Sequence, residues 1–368
     1  MTTPDADTYA LRSGHAAEVA APDLPYLPPA PRTYRPRIGI IGAGGIVSAH
    51  LDAYRTAGWE VAAICNRTLG KAQAAAAAYA PNARVTDRVD DILSDPSIDV
   101  ADITLHPAER LPVMEAALKA GKHVLSQKPF VHGLADGARL VTLAHDRGVK
   151  LAVNQNGRWA PHLAWMRAAV RAGLVGEVIA AHVSLHWNHG WIAGTPFERM
   201  EDVILYDFAV HWFDFLCSLN IAPETVVATS AHAAGQTAKV PLLAQVLVRT
   251  AGGQASLIFD GGAPYGPWDT TYIAGTKGSL RSEGPDLGSQ SVTLTTAAGV
   301  ARPQLRGTWF NDGFRGAMGA LLVAIEDNTE PANGAAENLN SLALAFAALQ
   351  SRRLGREVAV GDATRMEG

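Results

Sequence analysis

Apolar positions in the first half of the chain come as short β-branched runs separated by helix-patterned stretches. Arg37–Gly42 (RIGIIG) ends in a glycine and reads as a buried parallel strand, with helix setting in from Gly44 through Leu51. Glu60–Cys65 is a second strand, and Lys71–Tyr79 an alanine-rich helix. Val100–Leu105 is a strand, Leu111–Ala120 a helix stopped by Gly121, and Lys122–Leu125 a strand. Ala135–Asp146 is a helix stopped by Gly148, and Lys150–Val153 the last strand of the series. This alternation predicts a doubly wound parallel sheet over residues 35–156.

The pattern then changes. One helix, Pro161–Ala172, is followed by β-like runs at Glu177–Asn188, Thr225–Thr229, Leu242–Arg249, Ala255–Asp260, Thr270–Ala274 and Ser291–Thr296. A helix over Ile204–Leu219 interrupts them, and a pair, Gly313–Asp327 and Ala336–Leu354, closes the chain. The expected fold is therefore an α/β N-terminal domain plus an α+β C-terminal domain, 157–368, with a large, mainly antiparallel open sheet. Leu242–Val248 is apolar on both faces, which predicts a homodimer or homotetramer built on that sheet. Residues 1–34 are proline-rich and extended in tendency. They are either a leader without fixed structure or an arm packed on a neighbouring subunit.

Charge and composition narrow the function. The net charge of −4 disfavours a nucleic-acid partner, which would need a basic surface. No apolar run is long enough for a membrane span, and the N-terminus lacks the apolar segment of a secretory signal. Cys65 and Cys217 form neither a disulfide framework nor a zinc spacing, so a reducing, cytoplasmic location is expected.

Gly42-Ala43-Gly44-Gly45-Ile46-Val47 follows the first strand and opens a helix. Gly42 permits the tight turn, Gly44 lets the backbone approach a pyrophosphate, and the helix N–H groups of the Gly45–Ile46 turn meet its charge. Val47 replaces the small third residue of the usual Rossmann fingerprint. At the end of the second strand, Asn66 replaces the usual acidic ribose ligand, and Arg67 follows it. Asn66 does not repel a 2′-phosphate, and Arg67 either binds one or is a solvated charge. NAD and NADP are both open, with dual use at less than about 100-fold discrimination, the worth of one charge-assisted contact.

Lys122-His123-Val124-Leu125-Ser126-Gln127-Lys128-Pro129 puts a lysine beside a proline at a strand end, where a nicotinamide belongs. Together with the glycine motif, this resembles the glucose-fructose oxidoreductase/inositol dehydrogenase (Gfo/Idh/MocA) family, whose strand ends Glu-Lys-Pro. Gln127 departs from that pattern. Thr104-Leu105-His106-Pro107 is similar to the family's cofactor loop, His106 being unusual, and Arg110 stands where histidine is frequent. Tyr206-Asp207-Phe208-Ala209-Val210-His211 resembles the family's Asp-x-x-x-His segment. The resemblance spans roughly residues 36–360. It implies that Lys128, Asp207 and His211 meet around the reacting carbon, with Gln127, His106 and Asn156 near the cofactor and Asn156 and Arg158 near the substrate. The chemistry agrees: histidine suits a general base, and a lysine ammonium stabilises developing alkoxide.

The remaining polar candidates have ordinary readings beside functional ones. Asn154–Trp159 is either a site segment or a domain hinge. Trp191, in a glycine-containing loop, is the candidate substrate wall. His182 and His186 alternate on a strand and read as an exposed sheet face rather than ligands. Asp214 reads as a surface or capping acid. A metal site from Asp207, His211 and Asp214 lacks further ligands, so none is expected. The leading function is an NAD(P)-dependent dehydrogenase converting a secondary hydroxyl of a sugar, glycoside or inositol to a ketone, or the reverse. The alternatives are an enzyme that retains NAD(P) through transient oxidation, a reductase of unsaturated substrates, and a non-catalytic sugar sensor.

Overall fold

A computed structural model describes residues 16–366. The first part runs β1 (Arg37–Ile41), α1 (Val47–Ala57), β2 (Glu60–Cys65), α2 (Leu69–Tyr79), β3 (Arg84–Thr86), α3 (Asp90–Leu93), β4 (Val100–Ile103), α4 (Pro107–Lys119), β5 (His123–Ser126), α5 (Leu134–Asp146) and β6 (Leu151–Val153). The second runs α6 (Pro161–Arg171), β7 (Val178–His186), α7 (Val210–Cys217), β8 (Pro223–Ala231), β9 (Leu243–Thr250), β10 (Gly253–Asp260), β11 (Trp268–Gly275), β12 (Gly278–Gly284), β13 (Ser291–Thr296), β14 (Gly299–Ala301), α8 (Trp309–Asp327), α9 (Ala335–Leu354) and β15 (Val358–Ala359).

The six-stranded sheet has the order β3-β2-β1-β4-β5-β6, and every pairing in it is parallel. Its strands are covered on both faces, so Ile38, Ile40, Ile64, Ile103 and Val124 are all fully buried. The chain winds one way from β1 to β3 and the other way from β4 to β6. The carboxyl ends of β1 and β4 therefore flank a crevice, the usual ligand seat of an open α/β sheet. The strand β3 and the helix α3 were not expected. Each is one short edge element without an apolar run of its own.

The nine-stranded sheet has the order β14-β13-β12-β11-β7-β10-β9-β8-β15. It is antiparallel except for β7 against β10. Its inner face carries buried Val183, Leu185, Val246, Val248 and Leu257 beneath the helices. The outer face is open: Leu247 is 60% exposed and Tyr272 41%. His182 and His186 lie on that outer face, bonded to Ser256 and Asp260 at 2.7 Å each. The expected helix over Ile204–Leu219 is a π-helical turn, Ile204–Phe208, running into α7. Helix α8 returns to the parallel sheet, where Phe314, Met318, Leu321 and Leu322 join the core around Ile38 and Tyr54.

Over its described part the proline-rich segment is not a free leader. Residues 16–34 pack on their own chain. Val19 N donates to Val300 O at 2.9 Å and Val300 N to Ala17 O at 2.8 Å, which covers the edge strand β14. Pro29 lies against Gly319, where a Cβ would come within 2.0 Å of the Pro29 carbonyl oxygen. The Glu326 carboxylate accepts from Thr33 N (2.7 Å) and Tyr34 N (2.9 Å), satisfying backbone donors of an extended segment. The expectation for residues 1–15 lies outside the described residues. Among the described residues, no helix is long and apolar enough to cross a membrane, and no group of three or more metal-ligating side chains occurs.

Candidate active site

The glycine turn after β1 is built for close approach. Gly42 has φ +114°, and a Cβ there would lie 2.8 Å from Thr104 Oγ1. Gly44 and Gly45 face open space. Among the described residues no side chain caps α1, which begins past Ile46; Val47 N and Ala49 N donate to the carbonyls of Gly44 (3.2 Å) and Ile46 (3.1 Å). These features fit a dinucleotide pyrophosphate. Beside them a cavity of about 330 Å³ is lined by Gly42, Asn66, Arg67, Lys71, Asp87 and Glu109, at the end where the adenosine belongs.

Asn66 braces the turn. Its Oδ1 accepts from Ala43 N at 2.9 Å and its Nδ2 donates to Thr68 O at 2.9 Å. Arg67 is 90% exposed and pairs with Glu109 at 3.4 Å, which competes with a 2′-phosphate for it. His106 is exposed at the start of α4, one residue past Leu105, which lines the cavity.

At the other end of the crevice, Lys128 Nζ donates to Asp207 Oδ2 (2.9 Å) and to Asp207 O (2.8 Å). Both side chains are mostly buried, 15% and 18% exposed. Asp207 sits in the π-helical turn, which offers its carbonyl as well as its carboxylate to the lysine. Arg110, fully buried on α4, grips the carbonyls of Gln127, Lys128 and Pro129 from below.

His211, in the first turn of α7, is 8% exposed, and its Nδ1 has no partner among the described residues. Burial pushes its pKa well below the ordinary histidine value, and the Lys128 charge pushes the same way. The imidazole is therefore neutral at pH 7. Trp309 closes on it edge-on at 5.5 Å between ring centroids, and Gly157 packs beside both rings. Asn156 Oδ1 accepts from Trp309 Nε1 at 2.8 Å, so this residue fixes the wall behind the imidazole.

Arg158 departs from expectation. It does not face the crevice as a substrate ligand. Its guanidinium is 1% exposed and grips Asp214 bidentately, Nε–Oδ2 at 2.6 Å and Nη2–Oδ1 at 2.9 Å. Asp214 is correspondingly no surface or capping acid: it is buried and also accepts from Ser341 Oγ at 3.1 Å. Arg158 and Asp214 lie 56 residues apart, so no local pattern in the sequence marks them as a pair. Gln127 is buried, with Oε1 accepting from Lys128 N (2.9 Å) and Asn154 Nδ2 (3.0 Å).

One residue escaped the sequence reading. His189 follows β7, stacks on Trp187 with an interplanar angle of 6°, and meets Phe208 edge-on. Burial lowers its pKa to about 4; Asp207 and Lys128 are close enough to act on it with opposite sign. Its signal was the Trp187-x-His189-x-Trp191 spacing. Trp191 is 59% exposed and tilts over His189 at 6.2 Å.

A glycine-turn dinucleotide seat at the switch point of a parallel sheet, together with a mostly buried lysine–carboxylate pair and a neutral histidine, fits a nicotinamide-dependent oxidoreductase acting on CH–OH groups. Residues 36–155 match the model of the oxidoreductase family with NAD-binding Rossmann fold, and residues 163–281 match the GFO/IDH/MocA C-terminal domain. The chain belongs to the Gfo/Idh/MocA family. It is 27% identical over 340 residues to D-apiose dehydrogenase of Paraburkholderia graminis, covering 87% of this chain and 88% of that protein. It is 30% identical to 1,5-anhydro-D-fructose reductase of Ensifer adhaerens, covering 87% and 97%. The fold matches that of an oxidoreductase from Agrobacterium radiobacter, crystallised with NAD+, L-tartaric acid and magnesium. The TM-score is 0.80 at 21% identity, over 89% of this chain and 99% of that one.

Proposed function

We propose that the protein oxidises a secondary hydroxyl of a sugar, glycoside or inositol to a ketone, or runs the reverse reduction. Residues 35–156 serve as the dinucleotide unit and 157–368 as the substrate unit. The observation that carries this reading is a burial-neutralised His211 within electrostatic reach of the Lys128–Asp207 pair. When bound, a nicotinamide dinucleotide supplies the hydride acceptor. His211 takes the hydroxyl proton, its neutral state being the one a base needs. Lys128 donates to the substrate oxygen as negative charge grows there, and Asp207 keeps the ammonium aimed. Trp191 and His189 form the wall for the sugar ring. The names of the dehydrogenase and reductase relatives support this substrate class.

A panel of polyols and glycosides, read by absorbance of the reduced nicotinamide with NAD and NADP in separate runs, tests the reading. No turnover of any cyclic polyol or glycoside with either cofactor would defeat it.

The open face of the nine-stranded sheet is also proposed as the contact of a homodimer or homotetramer, because Leu247, Tyr272 and Val227 stand exposed on it. Light scattering showing a monomer at micromolar concentration would contradict this. Free Cys65 and Cys217 suit the proposed cytoplasmic location.

A further inference from the structure

A chain of buried polar groups runs behind the crevice from α1 to Lys128, and the mechanism above does not use it. Asp102 on β4 and His50 on α1 are both 0% exposed. Asp102 Oδ2 accepts from His50 Nδ1 (2.8 Å) and from Tyr54 Oη (2.6 Å). A carboxylate can only accept, so His50 carries its proton on Nδ1 and offers the lone pair of Nε2. That lone pair accepts from Asn154 Nδ2 at 3.1 Å. The second hydrogen of the same nitrogen goes to Gln127 Oε1 at 3.0 Å. Gln127 Oε1 in turn accepts from Lys128 N at 2.9 Å. Each link fixes the orientation of the next.

The arrangement is a costly way to stabilise a fold. Among the described residues Asp102 is enclosed without a cationic arginine or lysine, and its Oδ1 has no partner. Asn154 Oδ1 is likewise unpartnered. Buried polar groups left unmatched cost free energy, and an apolar replacement would avoid the cost. What the chain does achieve is geometric. It ties the helix at the dinucleotide seat to the backbone N–H of Lys128, while Arg110 holds the carbonyl side of the same segment.

We propose that His50 and Asp102 are positioning residues for Lys128, acting through Asn154 and Gln127. The inference rests on the reading that Lys128 works at the substrate oxygen. The test reads the lysine's placement whether or not that reading holds. His50→Gln, Gln127→Leu and the double variant are acetylated with a limiting succinimidyl acetate ester, and each lysine is quantified by peptide mass spectrometry. Lys239, exposed, is the reference for reagent. Lys122, buried with Nζ on the carbonyls of Asp95 and Ile98, is the reference for unfolding.

Each single variant should raise the Lys128-to-Lys239 reactivity ratio about 2–12-fold, the worth of one hydrogen bond, with Lys122 still protected. The double variant should go no further than the larger single, because both cut one chain. An unchanged ratio in either single overturns the proposal. So does a multiplied effect in the double, or a parallel rise at Lys122, which would mean that the network serves only the fold. Asp102→Asn, of equal size, replaces His50→Gln if that variant does not accumulate folded. Its ratio is judged by the same outcomes. Turnover measured alongside on the polyol found by the panel separates the two readings: a moved lysine with unaltered kcat would leave the positioning intact and remove Lys128 from catalysis.

Discussion

Replacing Asp214 by Asn should destabilise the protein while leaving the chemistry of the folded fraction nearly intact. The carboxylate and the Arg158 guanidinium are each 1% exposed and share two hydrogen bonds at 2.6 and 2.9 Å. Asparagine keeps the volume and one acceptor but removes the charge. The guanidinium is then left buried beside a neutral amide whose NH2 group points a donor at a donor. Breaking one partner of a buried pair costs about 3–5 kcal/mol. Glu337, 3.3 Å from Arg158 Nη1 and 42% exposed, remains as a second acid. It offsets part of the loss, so the lower half of that range, ~3–4 kcal/mol, is expected. Denaturant titration followed by tryptophan fluorescence and circular dichroism measures the change. In the same samples, KM for the polyol should stay within about threefold, since the pair's hydrogen bonds run to each other, Ala332, Glu337 and Ser341 and not to the proposed substrate contacts. A variant as stable as wild type, or one whose KM rises more than tenfold without loss of stability, would refute the reasoning. The second result would return Arg158 to the substrate.

Four further outcomes follow from the site. Lys128→Ala and His211→Ala should each lose ~10²–10⁴-fold in kcat while NADH still quenches protein fluorescence on binding; near-normal turnover by the His211 variant would remove it from the mechanism. Because His211 is held well below its ordinary value by burial and then by Lys128, the oxidation rate should stay level as pH falls through about 6.5. Stability should behave differently. His211, His189 (about 4) and His162 (about 3) must stay neutral in the fold, so stability is fully present above their unfolded value. It is lost as pH drops below that value, which denaturation at stepped pH would reveal. Asn66→Asp should shift kcat/KM toward NAD by repelling a 2′-phosphate. An unchanged value for NADP would place Asn66 away from the ribose.

Much of the fold was legible because the information is local. Glu60–Cys65 is an apolar run bounded by polar residues, and the strand has those same limits. Gly42 needs a positive φ and no Cβ, so its place after β1 announced the dinucleotide turn. Asp207 and His211 lie near each other through chain connectivity alone, and Lys128 was placed by the strand that precedes it.

Tertiary structure decided everything that depends on partners distant in sequence. Arg158 looked like a polar site residue because its segment ends a strand at the crevice; only folding brings Asp214, 56 residues on, against it. Helix α8 belongs to the second half of the sequence yet packs in the core of the first, since its apolar stripe cannot say which sheet it meets. The arm's place along β14 required an unpaired strand edge, which no residue of the arm encodes. The network from His50 to Lys128 joins α1, β4, β6 and β5, and each member read singly is an ordinary polar residue. Sequence therefore determined the elements and the dinucleotide turn, where periodicity and spacing suffice, while the proposed trio of Lys128, Asp207 and His211 came from the resemblance to the family. Desolvation and pairing, which depend on what surrounds a group in three dimensions, set the neutral state of His211 and the buried role of Arg158.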